Sequence, residues 1–244
     1  MANFEISYSF KFGDGRREII ELEIDRQKIE VLNRPDHDLP AWTRLEFEQC
    51  PHCPLHSRDV PHCPVAVSLI GVVQRFDGVM SYDQVELEVV TAERRVLQST
   101  SAQKGISSLL GLLISTSGCP HTSFFKPMAR YHLPLASGEE TIFRATGMYL
   151  LAQYFLRKMG KSVDYDLQGL TRIYGNLHLL NISIAERLRN ATRTDSSINA
   201  VIVLDIFTHT IGFVIDDHLL EFQHLFGSYL EEYYQFVLKG EPGS

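Results

Sequence analysis

Residues 3–12 alternate between apolar and polar side chains, with Phe4, Ile6, Tyr8 and Phe10 on one face. The alternation resumes over 17–24 after Gly13-Asp14-Gly15-Arg16. A period of two on both sides of a glycine-rich turn predicts a β-hairpin. Shorter strands are expected at Lys28–Leu32 and Arg44–Phe47, and Gln84–Val90 carries Val85, Leu87 and Val89 on one side. Val65–Phe76 reads as a helix opening on Pro64, because proline fits the first turn, where its missing N–H would be unpaired anyway. Asp77-Gly78 ends it. Gln103–Ser115 predicts a second short helix whose Gly105 and Gly111 imply close packing.

From Glu139 the period lengthens. Ile142, Ala145, Tyr149, Ala152 and Leu156 recur at three and four residues, and Gly160 supplies a stop. Leu167, Leu170, Tyr174, Leu177, Asn181, Ile184 and Leu188 form a clearer seam that needs a partner packed along it. Asp195-Ser196-Ser197 offers an N-cap for a third helix, broken near Gly212 and resumed to Val237. The closing Glu241-Pro242-Gly243-Ser244 reads as an unstructured end. The fold class is therefore α+β, with a β-rich N-terminal half (1–135) carrying a cysteine loop and a helical C-terminal half (136–240), two subdomains of one compact unit.

Composition narrows the functional classes. With 244 residues, 44% hydrophobic and 22% charged, the chain is of ordinary globular type. A net charge of -7 without long Lys/Arg runs argues against nucleic acid or anionic lipid as partner. No window has the roughly 18 uninterrupted apolar residues of a membrane span, and the N-terminus lacks a basic segment followed by an apolar one. The expected location is the cytoplasm, where four cysteines are read as thiols or metal ligands rather than as disulfides.

Each cysteine is followed by a proline: Cys50-Pro51-His52-Cys53-Pro54, His62-Cys63-Pro64 and Gly118-Cys119-Pro120-His121. Two cysteines three apart can present both sulfurs to one ion, and two distant ones can complete the shell. Cys50, Cys53, Cys63 and Cys119 are thus the predicted metal ligands. Proline stiffens each loop and lowers the entropy cost of holding the sulfurs. Cys63 falls at a predicted helix N-terminus, where the dipole favours thiolate. Zinc and an iron–sulfur cluster both fit. Pro54 stands where a zinc knuckle places glycine and cannot donate an N–H, and Cys-Pro is familiar from the last ligand of ferredoxin-type clusters. The intervals of two, nine and fifty-five intervening residues match neither standard pattern. The competing readings are four buried free thiols and a redox pair at Cys50 and Cys53. His52, His56, His62 and His121 crowd the same segments and can replace a ligand or donate to sulfur.

Elsewhere, Asp205, His209 and Asp216 share a helical stripe that can face His178 and Asn181, an arrangement suited to metal binding or acid–base work. Glu221 and His224 give a single Glu-x-x-His pair, where carboxylate di-iron bundles need two. Arg75, Arg94, Arg95, Lys126 and Arg130 with Ser115-Thr116-Ser117-Gly118 are a candidate anion pocket. Each group has a plainer reading as a solvated surface. Tyr229, Tyr233 and Tyr234 suit a homodimer contact.

The block Gly105-Ile106-Ser107-Ser108-Leu109-Leu110-Gly111 through Thr116-Ser117-Gly118-Cys119-Pro120, with Pro127-Met128-Ala129-Arg130-Tyr131-His132-Leu133-Pro134, resembles an uncharacterised bacterial family with the same Cys-Pro elements. The resemblance covers most of the chain and implies a bacterial source, but it carries no activity, cofactor or catalytic residue. The functional expectation is a metal-binding protein with a four-cysteine centre, iron–sulfur or zinc, in a structural, redox or regulatory role. The alternative is a metal- or redox-dependent enzyme using that centre or the polar group of the C-terminal helices. A homo-oligomer is the expected assembly, and the sequence names no small-molecule ligand.

Overall fold

The computed structural model describes residues 3–191, 197–202, 205 and 219–231. It is an α+β protein: a four-stranded antiparallel sheet in the N-terminal half, mostly helices in the C-terminal half. Strands β1 (Phe4–Phe12) and β2 (Arg17–Ile24) form the predicted hairpin, closed by Phe12 N–H to Arg16 O at 2.9 Å. Gly15 takes φ 89° in that turn, a conformation open to glycine at no steric cost. β3 (Gln84–Val90) pairs with β1, and β4 (Arg95–Ser101) with β3, in the order β2-β1-β3-β4.

One face of the sheet presents Ile6, Tyr8, Phe10, Phe12, Leu22, Ile24, Val85, Leu87 and Val89, all buried. The other bears Lys11, Glu86, Glu88 and Arg17, linked by ion pairs such as Lys11–Glu86 at 2.7 Å that contribute little in water. Helices α1 (Pro64–Arg75) and α2 (Ala102–Ser115) belong to the core that covers the apolar face. α2 buries residues all round its axis, the mark of a central helix. Gly105 lets it approach β1: a Cβ there would stand 2.8 Å from the Phe10 ring, itself wedged edge-on against Phe76.

A 3-10 turn (Ser123–Phe125) and the short α3 (Lys126–Arg130) lead into α4 (Gly138–Lys158). α4 opens with a capping box: Glu140 N–H donates to Ser137 Oγ at 3.1 Å, and Ser137 N–H donates to Glu140 Oε2 at 2.7 Å. It ends as predicted at Gly160, at φ 69°. α5 (Gln168–Ala191) carries the seam. Its first half joins Phe125, Ile142, Ala145, Tyr149 and Phe222 in a small core, and its second half sends Leu180, Ile184, Ala185 and Leu188 into the main core under the sheet. Residues 197–202 and 205 are helical, and a 3-10 turn (Gln223–Phe226) precedes α6 (Gly227–Glu231).

The structure departs from the sequence reading in several places. Lys28–Leu32 and Arg44–Phe47 are not strands; each contributes one isolated bridge, Ile24 with Val31 and Arg44 with His62. β4 carried no alternation because it is an edge strand that fully buries only Thr100. The proposed anion pocket is not assembled. Arg75, Lys126 and Arg130 face Glu18, Glu30 and Glu93 at 3.5, 2.8 and 3.6 Å, and Arg95 pairs with Glu88. The Ser115, Thr116 and Ser117 hydroxyls turn back onto α2 carbonyls instead. Asp195, Ser196, His209, Gly212, Asp216, Tyr233, Tyr234, Val237 and 241–244 lie outside the described residues. Among the described residues, no helix is long and apolar enough to cross a membrane.

The segment after α3 is tied to the sheet by polar bonds. Tyr8 Oη meets His132 Nε2 at 2.5 Å and Ser108 Oγ at 3.0 Å, and Leu135 N–H donates to that same Ser108 at 3.0 Å. Burial, with the nearby Arg144 charge, pushes the His132 imidazole down to about 3. The ring is therefore neutral when folded and must stay so at mild acidity.

Two outcomes are expected. Gly105→Ala should lower stability by about 1–3 kcal/mol despite a better helix propensity, because Phe10 has nowhere to go; a melting temperature equal to that of the parent would show that the ring yields. His132 binds a proton near pH 6.5 when unfolded and near 3 when folded, so the unfolded state holds more protons between those values and stability falls with acidity there. Urea titrations from pH 6.5 downward should lose about 1.4 kcal/mol per pH unit from this group, and His132→Gln should flatten that slope.

Candidate metal centre

From residue 25 to residue 63 the chain has little regular structure, only a 3-10 turn at Ala41–Thr43. Long irregular stretches inside a packed domain are uncommon and are usually functional or externally tethered. Here Asp25 caps its own turn by accepting Gln27 and Lys28 N–H at 2.8 and 2.6 Å. Arg34 donates to Ser117 O at 2.5 Å, next to Cys119. The chain then enters the cysteine loop.

Arg187, from the last turns of α5, holds the stretch just before that loop. It is 1% exposed and among the largest fully buried side chains. Its Nη1 donates to Trp42 O and Arg44 O at 2.6 and 2.7 Å, and its Nη2 to Leu45 O and Glu48 O at 3.3 and 3.4 Å. Its Nε has no partner. Glu48 sits at φ 46°, an unfavourable backbone for a residue with a Cβ, which its carbonyl's bond to Arg187 helps to hold.

Three of the cysteines lie near this guanidinium. Arg187 feels Cys63, Cys50, the Glu48 carboxylate and Cys53, in that order of strength. Cys119 in turn lies close enough to Cys63 and Cys50 for their charges to interact. Four cysteines from three segments thus share one neighbourhood, and all are free thiols. Cys63 and Cys119 are buried, at 8% and 6% exposure, while Cys50 and Cys53 are half-buried against the same core.

Cys63 is the N-cap of α1; its sulfur makes no capping hydrogen bond, but the N–H groups of Ala66 and Val65 lie near enough to favour charge on it. Those of His121 and Thr122 point at Cys119, and the Ser183 hydroxyl sits beside Cys50. Burial nevertheless raises the thiols of Cys50 and Cys63, and it pushes Cys119 up to about 12. For Cys63 the expected thiolate preference of a helix N-terminus is overridden by loss of water. Cys50, Cys63 and Cys119 stand as neutral thiols, and among the described residues no group of three or more His, Cys, Asp or Glu is arranged to hold a metal ion as it stands. Ligation requires the thiols to lose their protons first.

The histidines divide. His52 stacks on His121 with ring centroids 4.1 Å apart, and His121 Nε2–H donates to His52 O at 2.9 Å, joining the Cys50–Cys53 loop to the Cys119 loop. Both His52 ring nitrogens are sealed from solvent without a hydrogen bond; the Asn176 backbone lies alongside, outside bonding geometry. Burial, and then the His121 charge, hold the His52 imidazole below its ordinary value. His62 Nδ1–H donates to Thr43 Oγ1 at 2.7 Å, since that hydroxyl gives its own proton to Pro40 O. His56 is exposed.

Of the second polar group, His178 Nδ1 and Asp205 Oδ1 meet at 2.8 Å, and Asn181 is buried one turn on. Glu221 and His224 do not converge as a ligand pair: His224 Nδ1 bonds the Glu221 backbone carbonyl on an exposed surface. Sequence reasoning passed over Arg187. Its signal was position: it lies seven residues after Leu180 and three after Ile184, a cation on the face that otherwise enters the core.

The fold and site define an α+β protein with a buried cysteine–arginine cluster. The family model described as "Domain of unknown function (DUF6901)" matches residues 6–227, and the chain belongs to that family. No curated protein and no solved structure matches the chain.

Arg187→Met should destabilise the protein by about 3 kcal/mol or more, because the buried carbonyls of Trp42, Arg44, Leu45 and Glu48 lose their donors together. Urea unfolding measures it; a change below about 0.5 kcal/mol, the size seen at surface sites, would show that the guanidinium is not the anchor.

Proposed function

We propose that the protein is a metal-binding protein in which Cys50, Cys53, Cys63 and Cys119 together ligate one centre, zinc or an iron–sulfur cluster, that staples the 25–63 segment to the core. The observation that carries this reading is the burial of Arg187 among these cysteines, bonded to carbonyl oxygens and not to a carboxylate. A buried cation is costly unless negative charge lies beside it. The Glu48 carboxylate acts on Arg187 but is bonded to Asn190, and burial keeps the protons on Cys50, Cys63 and Cys119. A four-thiolate metal site adds the negative charge, since its ligand charge exceeds that of zinc or of a typical cluster.

Two further features support the reading. The backbone N–H groups near Cys63 and Cys119 lower the cost of charge on sulfur. The orphaned ring nitrogens of His52, inside the Cys50–Cys53 loop, are placed to donate to a sulfur once ligands rearrange around an ion. The role proposed first is structural, because the ligands bridge an irregular segment, the start of α1 and the loop after α2.

Elemental analysis and visible spectra of untagged protein purified without oxygen test this. Either a single zinc ion per colourless chain or a brown, iron-containing protein is expected. Cys50→Ser and Cys119→Ser should each lose the metal and melt roughly 10 °C lower, as metal binding is linked to folding. Metal-free parent protein, or full metal content in both variants, would refute the shared centre.

A further inference from the structure

A cavity of about 450 Å³ lies where α5 passes from the small core to the main one, walled by α2, the 125–137 segment, the start of α4 and the Tyr174–Asn181 stretch. Volumes of this size are typical of small-molecule sites. Most of the wall is apolar, including Leu112, Met128, Leu135 and Leu177.

Among the described residues no aspartate or glutamate lines it, although the chain carries 30 acidic residues. Two cations do: Arg144, half-buried in the wall, and Lys104, exposed beside it. Arg144 gives only Nη2 to the protein, donating to Met128 O at 3.1 Å and Tyr131 O at 2.8 Å. Glu140, whose charge Arg144 feels, has its carboxylate engaged by the Ser137 N–H at 2.7 Å.

Two hydroxyl residues, Tyr174 at 3% exposure and Ser107 at 5%, line the cavity, and neither hydroxyl bonds another described residue. Neither oxygen is sealed within the protein, so each can meet a molecule held in the cavity. Tyr174 and Arg144 also lie within electrostatic range of each other.

We propose that this cavity binds an amphipathic monocarboxylate, its carboxylate held by the unused edge of the Arg144 guanidinium and the Tyr174 hydroxyl, its apolar body lying along Leu112, Met128 and Leu177. One guanidinium edge and one phenol match a carboxylate, which takes paired donors in a plane. A phosphate dianion would need more donors than this largely apolar wall provides. The site is separate from the cysteine cluster and does not depend on metal.

Calorimetric titration of the full chain with decanoate, and with decanol as the uncharged counterpart, tests the assignment. Decanoate should bind saturably, one per chain, and at least about tenfold more tightly than decanol. Tyr174→Phe should weaken decanoate about tenfold, the loss of one hydrogen bond to a charged group, and Arg144→Gln at least as much. Decanol affinity should be the same in all three proteins. Tyr174→Phe keeps the ring and gives up no protein hydrogen bond, so it decides the matter should Arg144→Gln fail to fold. Absence of saturable decanoate binding, decanol binding as tightly as decanoate, or unchanged decanoate affinity in Tyr174→Phe would overturn the assignment.

Discussion

The organisation of this protein turns on one buried cation. Arg187 reaches from the end of α5 into the interior and gathers the backbone carbonyls of Trp42, Arg44, Leu45 and Glu48 around its guanidinium. A planar fork of donors can do this where a lysine cannot, because several carbonyls are bound at fixed angles at once. The contact joins residues more than a hundred positions apart, so the N-terminal and C-terminal halves are held by hydrogen bonds as well as by apolar packing. It also places a positive charge in a region with little water, and that charge shapes the neighbourhood of every cysteine beside it.

The cysteines answer two opposing demands. Loss of water raises their proton affinity, most of all for Cys119. Arg187 and the backbone N–H groups of the α1 N-terminus and the 121–122 turn pull the other way. Burial wins at Cys50, Cys63 and Cys119, whose thiols stay neutral. The proposed centre would reverse the balance by exchanging protons for a cation and would add negative charge beside the arginine. Under that proposal, much of the stability of a segment with so little regular structure would come from ligation rather than from a ladder of backbone bonds.

The second notable feature arises from how α5 divides its work. Its first half belongs to a small core with α4, its second to the main core under the sheet. Two cores of different size meeting along one helix leave space between them, and Tyr174, Leu177 and Asn181 at that junction line it. Among the described residues the lining includes two cations and several hydroxyls but no carboxylate, in a chain that is acidic overall, a local reversal of sign that apolar packing alone does not require.

Local chemistry made much of the architecture legible. Alternation and a glycine turn were enough for β1 and β2, Pro64 for the start of α1, and a three-four seam for α5, because each of these signals comes from burial of one face of an element. β4 escaped since an edge strand with one buried side chain has no periodicity to read. The expected strands at Lys28–Leu32 and Arg44–Phe47 did not form: Ile29 turns the backbone at φ 52°, so only Val31 bridges to the edge of β2, and Arg44 meets only His62. The cysteines were visible as a group through spacing and proline. The partners that give the group its meaning were not, because Arg187 and the orphaned His52 acquire their roles only from what surrounds them. Sequence by itself determined which surfaces must be buried and which residues can bind a soft metal. Only the tertiary structure decided where a cation would be enclosed and where two cores would leave a space between them, since both depend on contacts between residues far apart in the chain.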